Sequence, residues 1–205
     1  MTFQTLLETR NTEIRLSKDL VDRIRAFAER QYTTTLSQYA KRNQSDPDKI
    51  KYDCMIGKLG EWGVHDYFIS QGYTCTEPDM NVYPSYKKNW NRDMSCSGVS
   101  VTIKSQSHEQ SIRFGTSWTF QYSGNGFGHK DKIFDRSENE YIFAACVIRL
   151  NEDGTALVSI KMAVPVSDLF RHNLFGEPKS PNLVGIKKVV YYKDAVDKIK
   201  NLYVR

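Results

Sequence analysis

The sequence predicts an α+β domain, α/β in the order of its parts, with a mixed central sheet and N-terminal helices packed on it. Three observations carry that expectation. Helical periodicity dominates before residue 71. The segment Val99–Gln106 alternates apolar and polar residues, as a half-buried strand does. Tyr141–Leu150, an Asn151-Glu-Asp-Gly turn and Thr155–Met162 together read as a β-hairpin.

The elements follow in order. Ser17, followed by Leu20, Val21, Ile24, Phe27 and Ala28, predicts a capped amphipathic helix ending near Gln31. Thr33 to Lys51 is polar and broken at Ser45-Asp46-Pro47, which fits a second short helix plus a linker. Met55–Ser70 reads as a helix apolar around most of its circumference, and therefore buried. Gly57, Gly60 and Gly63 each cost it about 1 kcal/mol against alanine, a cost that close packing on a sheet would explain. Glu61 sits among these glycines, on a half-buried face.

Gln71-Gly72 ends that helix, and Tyr73 to Thr76 starts a strand. Glu77 to Asn91 is a loop rich in aromatics and lysines. After the Val99–Gln106 strand come a strand at Trp118–Tyr122 and a glycine-rich loop at Ser123–His129. A short helix at Val166–Phe170, a strand at Lys187–Tyr192 and a helix at Ala195–Leu202 close the chain. The expected organisation is one domain over 1–205, with a helical appendage at 1–50 and a catalytic core at 51–205.

At 205 residues, with 40% hydrophobic and 26% charged residues, the chain has a globular composition. It holds no apolar run of about 18 residues, so no membrane span is expected. Glu8 and Arg10 come too early for a signal peptide, so a cytoplasmic and not a secreted protein is expected. The four cysteines form no C-x-x-C pair and are expected as reduced core thiols, with no zinc site. The net charge of +5 is unevenly spread: 81–132 and 179–205 are basic, 51–80 and 133–178 acidic. Basic stretches interleaved with aromatics point to a polyanion partner.

Three residues carry chemistry: Glu61 on the buried helix, Asp93 after a loop, and Lys104 on the alternating strand. Ser97-Gly98 forms the turn between the last two. Two carboxylates from different elements can share a hard divalent cation. A lysine beside them can stabilise charge developing on a phosphate. Thr102, Lys104 and Gln106 share one strand face, so Gln106 would support the site and Thr102 would line it. Pro78-Asp79 offers a rival aspartate, but only Asp93 leads straight into the Lys104 strand.

This arrangement resembles the restriction-endonuclease-like PD-(D/E)xK nuclease superfamily. The residues that carry it are Gly57-Lys-Leu-Gly-Glu61, Asp93-Met94 and Val101-Thr-Ile-Lys104-Ser-Gln106, spanning about a quarter of the chain. The resemblance implies a restriction-endonuclease-like mixed sheet flanked by helices, and a magnesium-dependent DNA endonuclease in which manganese can substitute. It implies catalytic Glu61, Asp93, Lys104 and Gln106, and a metal held by Glu61, Asp93 and the Ile103 carbonyl. It also implies a homodimer, since cutting both strands takes two sites. The chain departs from the pattern at Thr102, where the family has an acid; Glu61 and Gln106 are the expected substitutes. A junction resolvase or repair nuclease is one alternative, and a catalytically inactive DNA-binding module with the same fold is the other.

DNA backbone contacts are expected from Lys87, Lys88, Arg92, Arg113, Lys130, Lys132, Lys187 and Lys188. The run Ser123-Gly-Asn-Gly-Phe-Gly128 lacks the strand and helix context and the Lys-Ser/Thr of a phosphate loop.

Overall fold

The computed structural model describes residues 12–40, 44–83, 93–123, 131–134 and 141–203. Strand β1 (Thr12–Leu16) leads into α1 (Lys18–Ala40) and α2 (Pro47–Ser70). A short β2 (Met94–Cys96) turns into β3 (Val99–Ser107), followed by α3 (His108–Phe114) and β4 (Ser117–Gln121). Then come β5 (Tyr141–Leu150), β6 (Ala156–Pro165), α4 (Val166–Arg171), β7 (Phe175–Gly176), β8 (Lys187–Tyr191) and α5 (Tyr192–Tyr203).

Five strands form one sheet in the order β1-β6-β5-β3-β2, and three form another in the order β4-β8-β7. The β3–β5 pairing is parallel and the other pairings of the larger sheet are antiparallel, so that sheet is mixed. Side-chain alternation divides the core between its two faces. Val101, Ile103, Ile142, Ala144, Cys146 and Ile148 pack with Leu59, Val64 and Phe68 of α2 and with Val21 and Ile24 of α1. Phe143 and Ala145 point the other way and pack with Trp118, Phe120 and Val190 of the smaller sheet. The large sheet is therefore sandwiched between the helix pair and the small sheet.

Several expectations change. Thr12–Leu16 is a strand, paired antiparallel with β6. Leu16, Val21, Ile24 and Ala28 lie in the same core as α2. Residues 12–28 are thus built into the fold and not appended to it. The expected linker before Met55 is the first part of α2. Asp46 caps that helix by accepting from the amides of Asp48 and Lys49, and Pro47 stands where a missing amide costs nothing. Tyr73–Thr76 contributes one bridge, Cys75 to Cys96, and no full strand. The helix α3 had no signal in the alternation of β3.

The glycines of α2 behave as expected in two cases of three. A Cβ on Gly60 would meet Ser105 Oγ at 1.8 Å, and one on Gly63 would meet Val158 at 2.4 Å. Gly57 has nothing within 4 Å. Close approach to the sheet accounts for the first two and leaves Gly57 without a packing role.

The cysteine expectation is corrected in part. Cys75 and Cys96 form a disulfide, brought together because Thr76 N–H donates to Ser95 O and Ser97 N–H to Thr74 O on either side of them. Cys54 and Cys146 are free thiols. Burial pushes the Cys146 thiol up to about 12, so it stays protonated. Among the described residues no helix is long and apolar enough to cross a membrane.

Candidate active site

Asp93 stands at the head of the β2–β3 hairpin. Its amide donates to Val101 O at 3.2 Å, and Met94 pairs with Val101 in register. The hairpin closes at Ser97 and Gly98, both with positive φ (47° and 83°), the geometry of a tight primed turn. The Asp93 Oδ2 accepts the Ile103 amide at 2.6 Å, with Thr102 Oγ1 at 3.5 Å. Asp93 keeps a solvent-facing side, yet protein packed around its carboxyl group dominates its proton affinity and raises its pKa. Asp93 is thus an exposed residue whose carboxyl group is closely surrounded by protein.

Glu61 projects from α2, with 19% of its side chain exposed. Burial is the main reason its pKa rises to about 7, and the negative charge of Asp93 adds to it. Lys58, one turn earlier on the same helix face, opposes both effects: its Nζ lies 2.5 Å from Glu61 Oε2. The same ammonium donates to the Asp79 backbone carbonyl at 2.8 Å and stands 5.1 Å from the Phe27 ring. The rival aspartate is therefore a neighbour. The Asp79 Oδ1 accepts from Asn81 N at 2.9 Å and Asn81 Nδ2 at 2.8 Å, and its charge acts on Lys58 and Glu61.

Lys104 does not point to open solvent, and it does not bond to Asp93. Its Nζ donates to Asp131 Oδ2 at 3.0 Å and lies 5.1 Å from the Phe120 ring. Its positive charge still reaches Asp93 and favours the ionised carboxylate, while Asp131 acts there in the opposite sense. The reason for the altered partner is the strand's alternation. Val101 and Ile103 face α2, so Lys104 faces the small sheet, where Asp131 lies.

Gln106 is held by structural bonds. It is 8% exposed, its Nε2 donates to Gly115 O at 3.2 Å, and its Oε1 accepts from Ser117 N–H at 3.1 Å. It braces the α3–β4 connection with both ends of its amide. Ile103 offers its amide to Asp93, while its side chain fills the core.

Sequence reasoning passed over Lys58 and Asp131. The i, i+3 spacing from Glu61 was a usable signal for Lys58. Asp131 had only its place after the glycine-rich run, between the counted cations Lys130 and Lys132.

Of the expected DNA contacts, Lys87, Lys88, Arg92 and Lys130 lie outside the described residues. Arg113 and Lys132 are exposed. Lys187 and Lys188 lie on β8, opposite Gln121 and Phe120 of β4. Lys188 pairs with Glu177 and stands over the Tyr122 ring.

Among the described residues no three acidic, histidine or cysteine side chains converge as a metal site. Two carboxylates whose proton affinities rise together still fit a magnesium-like cation, because such ions use one or two carboxylates and complete their shell with water and phosphate oxygen. Compared with known proteins, the chain matches no family model, no curated protein and no solved structure.

Proposed function

We propose that this chain is a magnesium-dependent DNA endonuclease with a restriction-endonuclease-like core. One observation carries the reading. Asp93 lies within electrostatic reach of Lys58 and Glu61 from the α2 side and of Lys104 and Asp131 from the small-sheet side, so charges of both signs meet around one carboxylate. Ordinary solvated side chains have no reason to pack this way, and perturbed carboxylates beside lysines favour a site that handles phosphate.

Glu61 and Asp93, with the Ile103 carbonyl, would hold the cation. When bound, magnesium or manganese supplies Lewis acidity toward a phosphate oxygen and lowers the proton affinity of the water that attacks it. Lys104 carries the positive charge that stabilises the phosphate in the transition state. The Ile103 amide fixes the orientation of the Asp93 carboxylate, and Lys58 does the same for Glu61. Arg113, Lys132, Lys187 and Lys188 would grip the DNA backbone, joined by Lys87, Lys88, Arg92 and Lys130. A homodimer would bring a second such site to the other strand.

A second reading has one observation in its favour. Thr102 stands where the acid of (D/E)xK would be, which suits a DNA-binding module that has lost catalysis. Incubation with plasmid, four-way junction and single-stranded DNA separates these readings. The nuclease cuts in Mg²⁺ or Mn²⁺, stops in EDTA, and loses cleavage in Lys104→Ala with stability within about 1 kcal/mol of wild type, since pairs exposed to this degree contribute little. Junction-selective cutting assigns a resolvase or repair nuclease. Salt-sensitive binding without cleavage in any metal assigns the inactive module. A binding curve that does not respond to salt removes nucleic acid from the picture, because about six phosphate contacts should cost roughly a thousandfold in affinity between 50 and 200 mM salt.

A further inference from the structure

We propose that Asp131 is the positioning residue for Lys104, holding its ammonium from a distant segment. The proposal rests on the nuclease reading and assigns a role to a residue which that reading left without one. Asp131 is itself firmly held. Its amide donates to Gln121 O at 2.8 Å, and its Oδ2 accepts from Gln121 N–H at 2.7 Å, so two reciprocal bonds lock it to the end of β4. That same Oδ2 takes the Lys104 ammonium at 3.0 Å, and the Phe120 ring lies 5.1 Å from the Nζ. Backbone, carboxylate and ring together leave Lys104 one orientation.

The need for such a holder follows from charge. Asp93 feels the Lys104 charge through space, and Asp93 Oδ2 already accepts the Ile103 amide. An ammonium with no other anion nearby moves toward the carboxylate it can reach, because attraction at contact is several times stronger in a partly desolvated site than in water. Lys104 collapsed onto Asp93 would cover the oxygen that a divalent cation needs. Asp131 prevents this by offering a competing carboxylate on the small-sheet side. In the (D/E)xK pattern an acid two residues before the lysine shares its strand face. Here that face carries Thr102, and the acid arrives 27 residues after the lysine.

The test is a double-mutant cycle read by calorimetric Mn²⁺ titration of the full chain without DNA, together with the ¹⁵N ammonium signal of Lys104. Asp131→Asn keeps an oxygen for the Gln121 amide and removes the charge that holds the lysine. It should weaken Mn²⁺ binding about tenfold in the wild-type background and by less than about twofold in the Lys104→Ala background, which is the coupling expected of residues acting through one contact. Asp131→Glu should restore affinity to within about twofold of wild type and keep the wild-type ammonium signal, whereas in Asp131→Asn that signal should shift as the ammonium exchanges Asp131 for Asp93. Equal weakening in both backgrounds, or none in either, overturns the positioning role; if Asp93→Asn then still abolishes Mn²⁺ binding, the nuclease reading stands without it. A wild-type chain that takes up no Mn²⁺ overturns both.

Discussion

The Ile103 amide donates to the Asp93 carboxylate at 2.6 Å, joining the acid at the head of β2 to the residue beside Lys104. A hydrogen bond to a charged acceptor is short and strong, and it favours the ionised form. Burial works against it and wins, so the Asp93 pKa still lies above its ordinary value. The carboxylate is thus held in place by the backbone while its surroundings disfavour its charge, a balance that a cation would tip toward the ionised form.

Asp93→Asn keeps the size and the acceptor oxygen for Ile103 while removing the charge. Plasmid cleavage should fall below detection. DNA affinity should hold or rise, because a negative charge near phosphate is gone. Asp79→Asn, whose side chain bonds Asn81 and reaches Glu61 and Lys58 only through its charge, should cut within a few-fold of wild type. An inactive Asp79→Asn beside an active Asp93→Asn would move the site to the loop after Pro78.

Glu61 makes stability depend on pH. Its folded pKa of about 7 exceeds the ordinary 4.5, so the folded state binds more protons between those values and stability falls as pH rises through that window. Urea denaturation from about pH 5 to 8 should show this decline in wild type, and Glu61→Gln should lack that part of it. A wild-type curve that rises across the window would place Glu61 in a solvated setting.

The three glycines of α2 should separate by sign. Gly57→Ala meets nothing and should stabilise the chain by up to about 1 kcal/mol, the helix-propensity difference. Gly60→Ala and Gly63→Ala must displace Ser105 and Val158 of the sheet, and should cost about 1–3 kcal/mol each. Thermal melts of the three variants check the order; a destabilised Gly57→Ala would contradict the open space beside it.

Thr102→Glu returns an acid to the strand position beside Asp93, where Thr102 Oγ1 now stands 3.5 Å from Oδ2. Like charges should lower the melting temperature without metal and tighten Mn²⁺ binding by about tenfold. Calorimetry and melts with and without Mn²⁺ measure both. Unchanged Mn²⁺ affinity would mean that position 102 does not face the cation.

The strand β3, the Ser97-Gly98 turn, the β5–β6 hairpin and the burial of the Glu61 helix were legible in the sequence, because each rests on spacing within a dozen residues. Alternation, a primed turn and an apolar helix face are local properties of the chain. Those local rules placed Glu61, Asp93 and Lys104 on three separate elements and named the hairpin joining the last two. The partner of Lys104 was not legible. Alternation put Lys104, Thr102 and Gln106 on one face, but only the packing of the small sheet showed that this face meets β4 and Asp131 while Glu61 approaches from the other side. The same packing bound both ends of the Gln106 amide. Strand β1 was hidden because its partner β6 lies more than 140 residues away, and five residues alone carry too little pattern to declare a strand. The sequence by itself determined which side chains could bear charge and on which elements. The tertiary structure decided which charges meet, because electrostatic partnership depends on distances between segments that no local periodicity encodes.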